Sequence, residues 1–376
     1  VQAPESAKYD GMPRSAISTG LVDYILPVEN LPNELIKYLQ HPYIEGQAKI
    51  ETREDPFRNY VQKIFLLIRS NTGHDFSNYK QTTIRRRIER RMAVHQIKNI
   101  SDYVRYLQES PGEVETLFKD LLIGVTSFFR DSDAFNRLKE EVIPDLIGSR
   151  SPNSNIRIWI VGCSTGEEAY SIAMLFEEAM EKMRKHFTIQ IFASDIDAEA
   201  IDFARVAIYP DSIAADVSPE HLNRFFIKTD NTYKIKKQIR EMVVFAAQNL
   251  IKDPPFSKID MVSCRNLLIY MDSVLQKKVL PLFHYTLNRN GVLFLGNSES
   301  IGEFTDLFSP IDTKSKLFRR KERVVNRSLM PFHDTFPAYP NEGVKVPSAS
   351  DIHDMAEKIV LENYAPPCVL INDRYE

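Results

Sequence analysis

The segment 156–172, IRIWIVGCSTGEEAYSI, constrains the fold of this chain more than any other. Its apolar run 156–161 predicts a short strand buried on both faces. The run ends in the turn Gly162–Gly166, and from Glu167 onward the apolar residues follow a helical spacing. Strand, glycine turn and helix, in this order, are how open α/β sheets hold a nucleotide-like ligand at the carboxyl ends of their strands.

A second predicted strand, 189–193, ends at Asp195, and an acidic residue in that place suits a ribose diol. The turn lacks the G-x-G-x-x-G spacing, and Glu167 and Glu168 stand where a pyrophosphate would need free backbone N–H groups. The glycine turn and Asp195 fit either NAD or S-adenosylmethionine (SAM). The two glutamates favour SAM, whose ammonium and sulfonium are positive; the alternative is a structural turn that binds no ligand.

Composition excludes several classes of protein. The 376 residues are enough for two or three domains, and 43% hydrophobic residues can form a substantial core. No segment is long and apolar enough to span a membrane, and a net charge of −3 argues against bulk binding of nucleic acid. Cys163, Cys264 and Cys368 have neither metal-ligand nor disulfide spacing, and no H-x-x-x-H pair occurs, so we expect packing cysteines, no metal and a reducing cytoplasm.

Four segments resemble the CheR family of chemotaxis receptor methyltransferases, namely VGCSTGEEAYSIA, FASDID, VVFAAQNL and CRNLLIYM. They occur in the family's order, and the resemblance covers roughly residues 50 to 320. It implies an α/β fold: a Rossmann-like sheet of the SAM-dependent methyltransferases, an all-α N-terminal domain and a small inserted antiparallel β-subdomain. It also implies transfer of a methyl group from SAM to glutamate side chains of chemoreceptors, with S-adenosylhomocysteine as the product.

The resemblance and the composition together divide the chain. Residues 1–45 resemble the C-terminal tail of the CheB methylesterases, whose catalytic residues would lie upstream of Val1. The helical CheR domain is expected at 46–135 and the SAM-binding domain at 136–322, with the β-subdomain at 206–242. Residues 323–350 are expected to form a linker, and 351–376 resemble the start of a PAS sensor domain. We therefore expect a fragment of a CheB–CheR–PAS fusion, monomeric as this fragment.

The family's cofactor pattern transfers to this chain residue by residue. Glu168 resembles the partner of the methionyl ammonium, although Glu167 fits that role equally well in the sequence. Asp195 resembles the ribose ligand, and Gly124 stands where the family's N-x-T-x-F-F-R element has an asparagine. The remaining expected cofactor-binding residues are Thr126, Arg130, Gly162, Gly166, Asn249, Leu250, Arg265 and Asn266.

The proposed reaction needs no general base, because an exposed glutamate has a pKa of about 4.3 and is ionised at neutral pH. Catalysis must then come from aligning the reacting atoms and from removing water, and alignment can supply on the order of 7–11 kcal/mol. We expect Arg130 and Tyr270 to orient the substrate carboxylate, since arginine offers a bidentate fork and tyrosine a hydroxyl donor.

A basic helix is expected around residues 82–92. Ile84, Ile88 and Met92 are spaced four apart and predict a buried seam. Between them we expect a charged surface of five arginines, Arg85, Arg86, Arg87, Arg90 and Arg91.

This face is either a solvated surface or a dock for an acidic helix. The resemblance supports the dock, with cytoplasmic chemoreceptor helices as the partner and with neither nucleic acid nor membrane insertion. Two other functions remain open. One is a nucleic-acid methyltransferase, which the negative net charge and the missing N-P-P-Y-type motif disfavour. The other is a non-catalytic SAM-binding signalling module.

Overall fold

The computed structural model describes residues 1–18, 22–39, 56–122, 124–148, 150 and 154–322. The expected linker at 323–350 and the PAS-like segment at 351–376 lie outside these residues. All of the described residues belong to one compact unit of the chain.

The strands within the described residues form two sheets. They are β1 (Asn155–Val161), β2 (Thr188–Asp195), β3 (Ile208–Pro210), β4 (Phe226–Thr229), β5 (Thr232–Ile235), β6 (Val243–Ala247), β7 (Ile259–Cys264), β8 (Leu287–Leu295), β9 (Phe308–Asp312) and β10 (Leu317–Arg320). The large sheet has the order β6-β2-β1-β7-β8-β10-β9, and its first five strands run parallel. The chain extends the sheet from β1 to β2 and β6, then crosses back to place β7 on the other side of β1. This reversal creates a topological switch point beside β1, and the predicted parallel α/β fold is confirmed.

Thirteen α-helices lie in the described residues, eight before β1 and five among the strands. They are α1 (Gly11–Ser18), α2 (Leu31–Leu39), α3 (Pro56–Thr72), α4 (Gln81–Val94), α5 (Ile100–Glu109), α6 (Pro111–Leu121), α7 (Ser132–Arg137), α8 (Ile143–Gly148), α9 (Glu167–Met183), α10 (Ala198–Val206), α11 (Pro219–Phe225), α12 (Lys237–Arg240) and α13 (Ser273–Thr286). A π-helical segment, Leu138–Val142, joins α7 to α8, and short 3-10 helices lie at Pro4–Ser6, Asp211–Ala215 and Leu268–Tyr270.

Apolar clusters cover both faces of the large sheet. Ile158 and Ile160 of β1 point into one cluster, while Trp159 points into the other and donates its indole N–H to Ser194 Oγ over 2.9 Å. Alternate side chains of one strand therefore enter opposite cores, as expected for a strand buried on both faces.

The far edge of the sheet contains a strand that the sequence analysis missed. Strand β9 pairs antiparallel with β10 and lies outside it at the edge of the sheet. Its sequence, FSPID, contains Pro310, which cannot donate a backbone hydrogen bond. A proline disfavours a strand in sequence terms but is tolerated at a sheet edge.

Helices α3 to α6 form the all-α domain around a core of their own. Ile84, Ile88 and Met92 of α4 are buried, as predicted. The expectation that all five arginines cover the surface was wrong for Arg91, which is only 7% exposed.

The small sheet, of order β3-β5-β4, confirms the predicted antiparallel β-subdomain. Strands β4 and β5 form the predicted hairpin, and their register ends at the pair Thr229 and Thr232. Strand β3 was not predicted, because a three-residue strand has too little pattern to recognise.

Candidate functional site

A pocket lies at the carboxyl ends of β1, β2, β6 and β7, next to the switch point. Helical-domain residues Tyr79, Leu121 and Leu122 line it as well. All expected catalytic and cofactor-binding residues except Gly166 line this pocket, namely Thr126, Arg130, Gly162, Glu168, Asp195, Asn249, Leu250, Arg265, Asn266 and Tyr270. The fold thus gathers residues that span about half of the chain.

The glycine turn is held against the end of β2 by backbone hydrogen bonds. The N–H groups of Gly162 and Cys163 donate to the carbonyl of Ser194 over 2.8 and 3.1 Å. Gly162 has φ +71°, which favours glycine, and a Cβ there would lie 3.2 Å from Leu267. This backbone geometry brings the turn close to the pocket.

Gly166, which was expected to bind the cofactor, does not line the pocket and packs closely against its neighbours. Its φ is +93°, and a Cβ there would lie 2.9 Å from the Cβ of Ala204 and 3.1 Å from the ring of Phe245. Any larger residue would push α9 away from its neighbours. Gly166 therefore permits α9 to pack closely against Ala204 and Phe245.

Asp195 closes β2 and fixes the glycine turn. Its carboxylate accepts the N–H of Ser164 over 2.7 Å and that of Asp197 over 3.0 Å. Burial raises the pKa of Asp195 above its ordinary value, and these N–H donors oppose the effect. Each carboxylate oxygen has a further lone pair that can accept a ligand hydroxyl.

The structure separates the two adjacent glutamates that the sequence left equivalent. Glu168 lines the pocket, where it accepts Ser263 Oγ over 2.7 Å and Arg265 Nη1 over 3.3 Å. Glu167 is absent from the lining and accepts the hydroxyl of Thr165 over 2.7 Å. Burial raises the pKa of Glu167. Only Glu168 is placed to meet a cation in the pocket.

Arg265 connects this glutamate to the loop that enters the sheet domain. Its guanidinium also donates to the Arg130 carbonyl and to Asp131, each over 2.8 Å, and lies between the rings of Phe135 and Phe294. The side chain is fully buried between two carboxylates. Asp131 is in the left-handed region, at φ +63°, so the Arg265 contacts help to hold an unfavourable backbone conformation.

The 124–131 loop carries two of the expected residues, Thr126 and Arg130. Arg130 lines the pocket and donates through Nη1 to the Val125 carbonyl over 2.8 Å. Gly124, which replaces the family's asparagine, has no side chain to offer, but its carbonyl accepts Ser164 Oγ over 3.0 Å. Thr126 lies in the pocket wall between them. The loop is thus attached to the glycine turn 162–166, although Gly124 lacks the side chain of the family's asparagine.

Asn249 and Leu250 form the wall beyond β6. The Asn249 side chain accepts the N–H groups of Ile251 and Lys252 over 2.9 and 3.2 Å, so it builds the turn in which it lies. Its backbone N–H donates to Asp253 over 2.7 Å. Asn249 therefore shapes the wall, and Leu250 supplies apolar surface.

Two residues of this site were missed in the sequence. Tyr79, from the loop before α4, lines the pocket, and burial together with the charge of Asp195 raises its pKa to about 12. Glu299 lies behind the pocket and accepts the N–H groups of Asn266, Gly296 and Ile269 over 3.0, 2.7 and 3.3 Å. Burial raises the pKa of Glu299, and the N–H donors oppose it. No motif connects either residue to the site, although the G-N-S-E segment that follows β8 could have indicated Glu299.

Cys163 and Cys264 are buried beside the pocket. Burial raises the pKa of both thiols well above their ordinary value. A buried thiol of this kind is a poor nucleophile, which agrees with their interpretation as packing residues.

The basic helix α4 is partly occupied by contacts within the chain. Arg91 pairs with Glu113 over 2.6 Å, and Arg90 pairs with Asp120 over 3.1 Å. Asp23, in the segment before α2, lies 2.7 Å from Arg90 and 3.6 Å from Arg91.

The other arginines of α4 differ in their contacts. Arg85 pairs with Glu89 over 2.9 Å. Arg86 is exposed and Arg87 half-buried, and neither has an ion-pair partner among the described residues. These two remain the accessible part of the expected docking face.

The described ranges contain neither a membrane-spanning helix nor a metal-binding cluster. None of their helices combines the length and apolar character of a membrane span. No three His, Cys, Asp or Glu side chains in the same ranges come together as metal ligands.

Comparison with known families assigns the two domains. Residues 124–317 match the CheR methyltransferase SAM-binding domain, and 60–122 match the CheR methyltransferase all-alpha domain. Residues 1–35 match the CheB methylesterase family.

Comparison with individual proteins gives three similar relatives. An uncharacterized 104.1 kDa protein of Rhodobacter capsulatus is 36% identical over 85% of this chain, which spans only 36% of that protein. A chemotaxis protein methyltransferase of Borreliella burgdorferi is 32% identical over 68% of this chain and 93% of its own length. Chemotaxis protein methyltransferase 2 of Vibrio cholerae is 34% identical over 67% of this chain and 86% of its own length.

Proposed function

Because this chain belongs to the CheR methyltransferase family, we propose that it transfers a methyl group from SAM to glutamate side chains of chemoreceptors. The product would be a glutamate methyl ester, and the methylated glutamates would lie on the cytoplasmic signalling helices of the receptor. The observation that carries this proposal is the pocket at the switch point, where Glu168, Asp195 and Arg130 converge from separate parts of the chain.

The pocket residues fit SAM, the cofactor of the matched SAM-binding domain. Asp195 at the end of β2 offers acceptors for a ribose diol. Glu168 offers a carboxylate to the methionyl ammonium, and the same negative charge would repel a pyrophosphate. Leu250 and Ile251 supply the apolar wall that an adenine ring needs.

When bound, SAM supplies an electrophilic methyl group on a positively charged sulfur. The chain's residues then have to align a carboxylate with that group and keep water out. Arg130 and Tyr270 lie in the same pocket and can donate to the substrate carboxylate from two directions. Because a glutamate is already ionised at neutral pH, no residue has to remove a proton. Alignment and exclusion of water are the proposed sources of rate enhancement.

We expect Glu168→Gln to weaken SAM binding by about tenfold to a hundredfold, the effect of one charged hydrogen bond of about 1.5–3 kcal/mol. Its neighbour is the matched control, because Glu167 is bonded to Thr165 outside the pocket. Calorimetry with SAM should find Glu167→Gln close to the wild type. Equal losses in both variants would contradict the assignment of Glu168, provided that both retain the wild-type melting temperature.

We also expect the double substitution Arg86→Glu and Arg87→Glu to raise the KM for receptor about tenfold or more, with little change in kcat. The reason is that both arginines remain accessible on α4, and charge complementarity mainly governs encounter. The matched control reverses Lys277 and Lys278, an exposed adjacent pair on α13. A KM that rises equally in both variants would assign the effect to net charge and remove α4 as the dock.

The proposed activity itself is tested with radiolabelled SAM and a purified receptor signalling domain. We expect the label in the receptor as a base-labile methyl ester. Binding of SAM without any transfer to receptors would favour a non-catalytic signalling module. Label in nucleic acid, together with salt-sensitive binding of it, would favour a nucleic-acid methyltransferase.

A further inference from the structure

His74, from the helical domain, touches the pocket wall from outside. Its ring Nδ1 lies 3.1 Å from the side-chain nitrogen of Asn249. The His74 ring also stacks on the ring of Phe118, which lies in α6. The two ring centroids are 5.1 Å apart, and the angle between the ring planes is 6°. His74 does not line the pocket, whereas Asn249 does.

The hydrogen bonds of Asn249 determine the direction of this contact. Its side-chain oxygen accepts two backbone N–H groups, those of Ile251 and Lys252. The amide NH₂ must therefore face His74, because the reverse orientation would set donor against donor at both N–H groups. Nδ1 of His74 is then the acceptor, which requires an imidazole that carries its proton on Nε2.

The charged groups around His74 also favour the neutral ring. Burial lowers the pKa of His74, and the nearby positive charge of Lys252 lowers it further, whereas Asp253 opposes this. Lys252 is held in place because its Nζ donates to the carbonyl of Gly73. On its own loop, Asp75 is engaged by Ser77 and Arg69, and Phe118 contributes no charge.

We propose that His74 is a positioning residue of the SAM site: its neutral ring holds Asn249, and through it the pocket wall 248–251, in the conformation that binds the cofactor. This proposal rests on the proposed function, since the wall belongs to the pocket assigned to SAM. Protonation would place a donor on Nδ1 opposite the NH₂ of Asn249. The amide would then have to leave His74 or lose its bonds to Ile251 and Lys252, and the wall would change shape.

The sign of the pH effect follows from linkage. A ligand that requires neutral His74 binds with full affinity above the pKa of that ring and loses affinity as the pH falls below it. The loss is at most about tenfold per pH unit for one proton. Titration of Asp195 in acid adds a dependence of the affinity on pH that is common to the wild type and to every His74 variant.

The test measures the affinity of the full chain for S-adenosylhomocysteine by calorimetry between about pH 5 and pH 8. His74→Asn places an oxygen acceptor near the position of Nδ1 but does not titrate, so we expect affinity close to the wild type at pH 8 and a flatter profile. His74→Phe keeps an aromatic ring for stacking on Phe118 but has no acceptor, so affinity at pH 8 should fall several-fold and the profile should lose the His74 titration. The control, His186→Asn, changes an exposed histidine outside the pocket lining and should match the wild type.

A second measurement needs no variant that might fail to fold. In an NMR titration of the wild type, the pKa of His74 should fall further when S-adenosylhomocysteine is bound. A His74→Asn profile that parallels the wild type, or a His74 pKa that the ligand leaves unchanged, would overturn the proposal. Failure of the wild type to bind at any pH would instead overturn the proposed function.

Discussion

Replacement of Arg130 by alanine is expected to lower the rate of receptor methylation by about 100-fold to 1,000-fold, the usual effect of losing one positioned donor. Arg130 lies in the pocket, and among the described residues its side chain donates a hydrogen bond only to the Val125 carbonyl within its own loop. Its removal therefore leaves no buried charge without a partner, and the melting temperature should change little. Initial rates with saturating SAM and a thermal melt measure the two effects separately.

The control for Arg130 is Arg137→Ala, on α7 a short distance along the chain. Arg137 is about half exposed and pairs with Glu141 and Asp312 at the surface, so both rate and stability should stay near the wild type. Arg130→Lys should recover only part of the rate, because lysine keeps the charge but not the planar fork. Full activity of Arg130→Ala would remove this residue from the mechanism.

The largest expected loss of stability comes from Arg91→Ala, at about 3–5 kcal/mol in the free energy of unfolding. Arg91 and Glu113 form a buried pair at 2.6 Å, and their side chains are 9% and 5% exposed. Tyr103 and His95 also contact the Glu113 carboxylate, each at 2.8 Å, but neither supplies the permanent charge of an arginine. Chemical denaturation followed by circular dichroism measures the loss.

The pH dependence of this loss has a definite sign. Burial alone would raise the pKa of Glu113, but the hydrogen bonds and charge of Arg91 hold it below its ordinary value. The stability that the pair supplies is present above the ordinary pKa of a glutamate and is lost as the pH falls through the lowered value. The difference in the free energy of unfolding between the wild type and Arg91→Ala should therefore become smaller in acid.

Arg86→Ala is the matched control on the same helix, because Arg86 is exposed and unpaired among the described residues. Its unfolding free energy should lie within about 0.5 kcal/mol of the wild type. If Arg86→Ala and Arg91→Ala lost equal stability, the separation of structural from accessible arginines on α4 would be wrong.

The sequence predicted the pocket well because most of the residues that form it directly follow a strand. A glycine turn after β1 and an acidic residue after β2 must meet at one edge of a parallel sheet, whatever the rest of the chain does. The family resemblance then indicated Asn249 and Arg265, which follow later strands, and Tyr270, and all three residues line the pocket.

Other features depend on tertiary contacts that no local pattern carries. Five arginines in seven residues look alike in a sequence, but the helical twist turns Arg91 toward Glu113, whereas Arg86 faces outward. Tyr79 enters the site only because the helical domain contacts the Tyr270 segment, where the Lys80 N–H donates to the Tyr270 carbonyl over 2.9 Å. Gly166 carries the signature of a ligand loop but is required by the packing of α9.

The central claim is that the pocket where β1 and β2 end holds a cationic methyl donor. Calorimetry of this chain with SAM, S-adenosylhomocysteine and NAD tests it most directly. We predict saturable binding of one SAM or one S-adenosylhomocysteine per chain, weakened by Glu168→Gln, and no binding of NAD. Heat with NAD, or no heat with either SAM or its demethylated product, would contradict the claim.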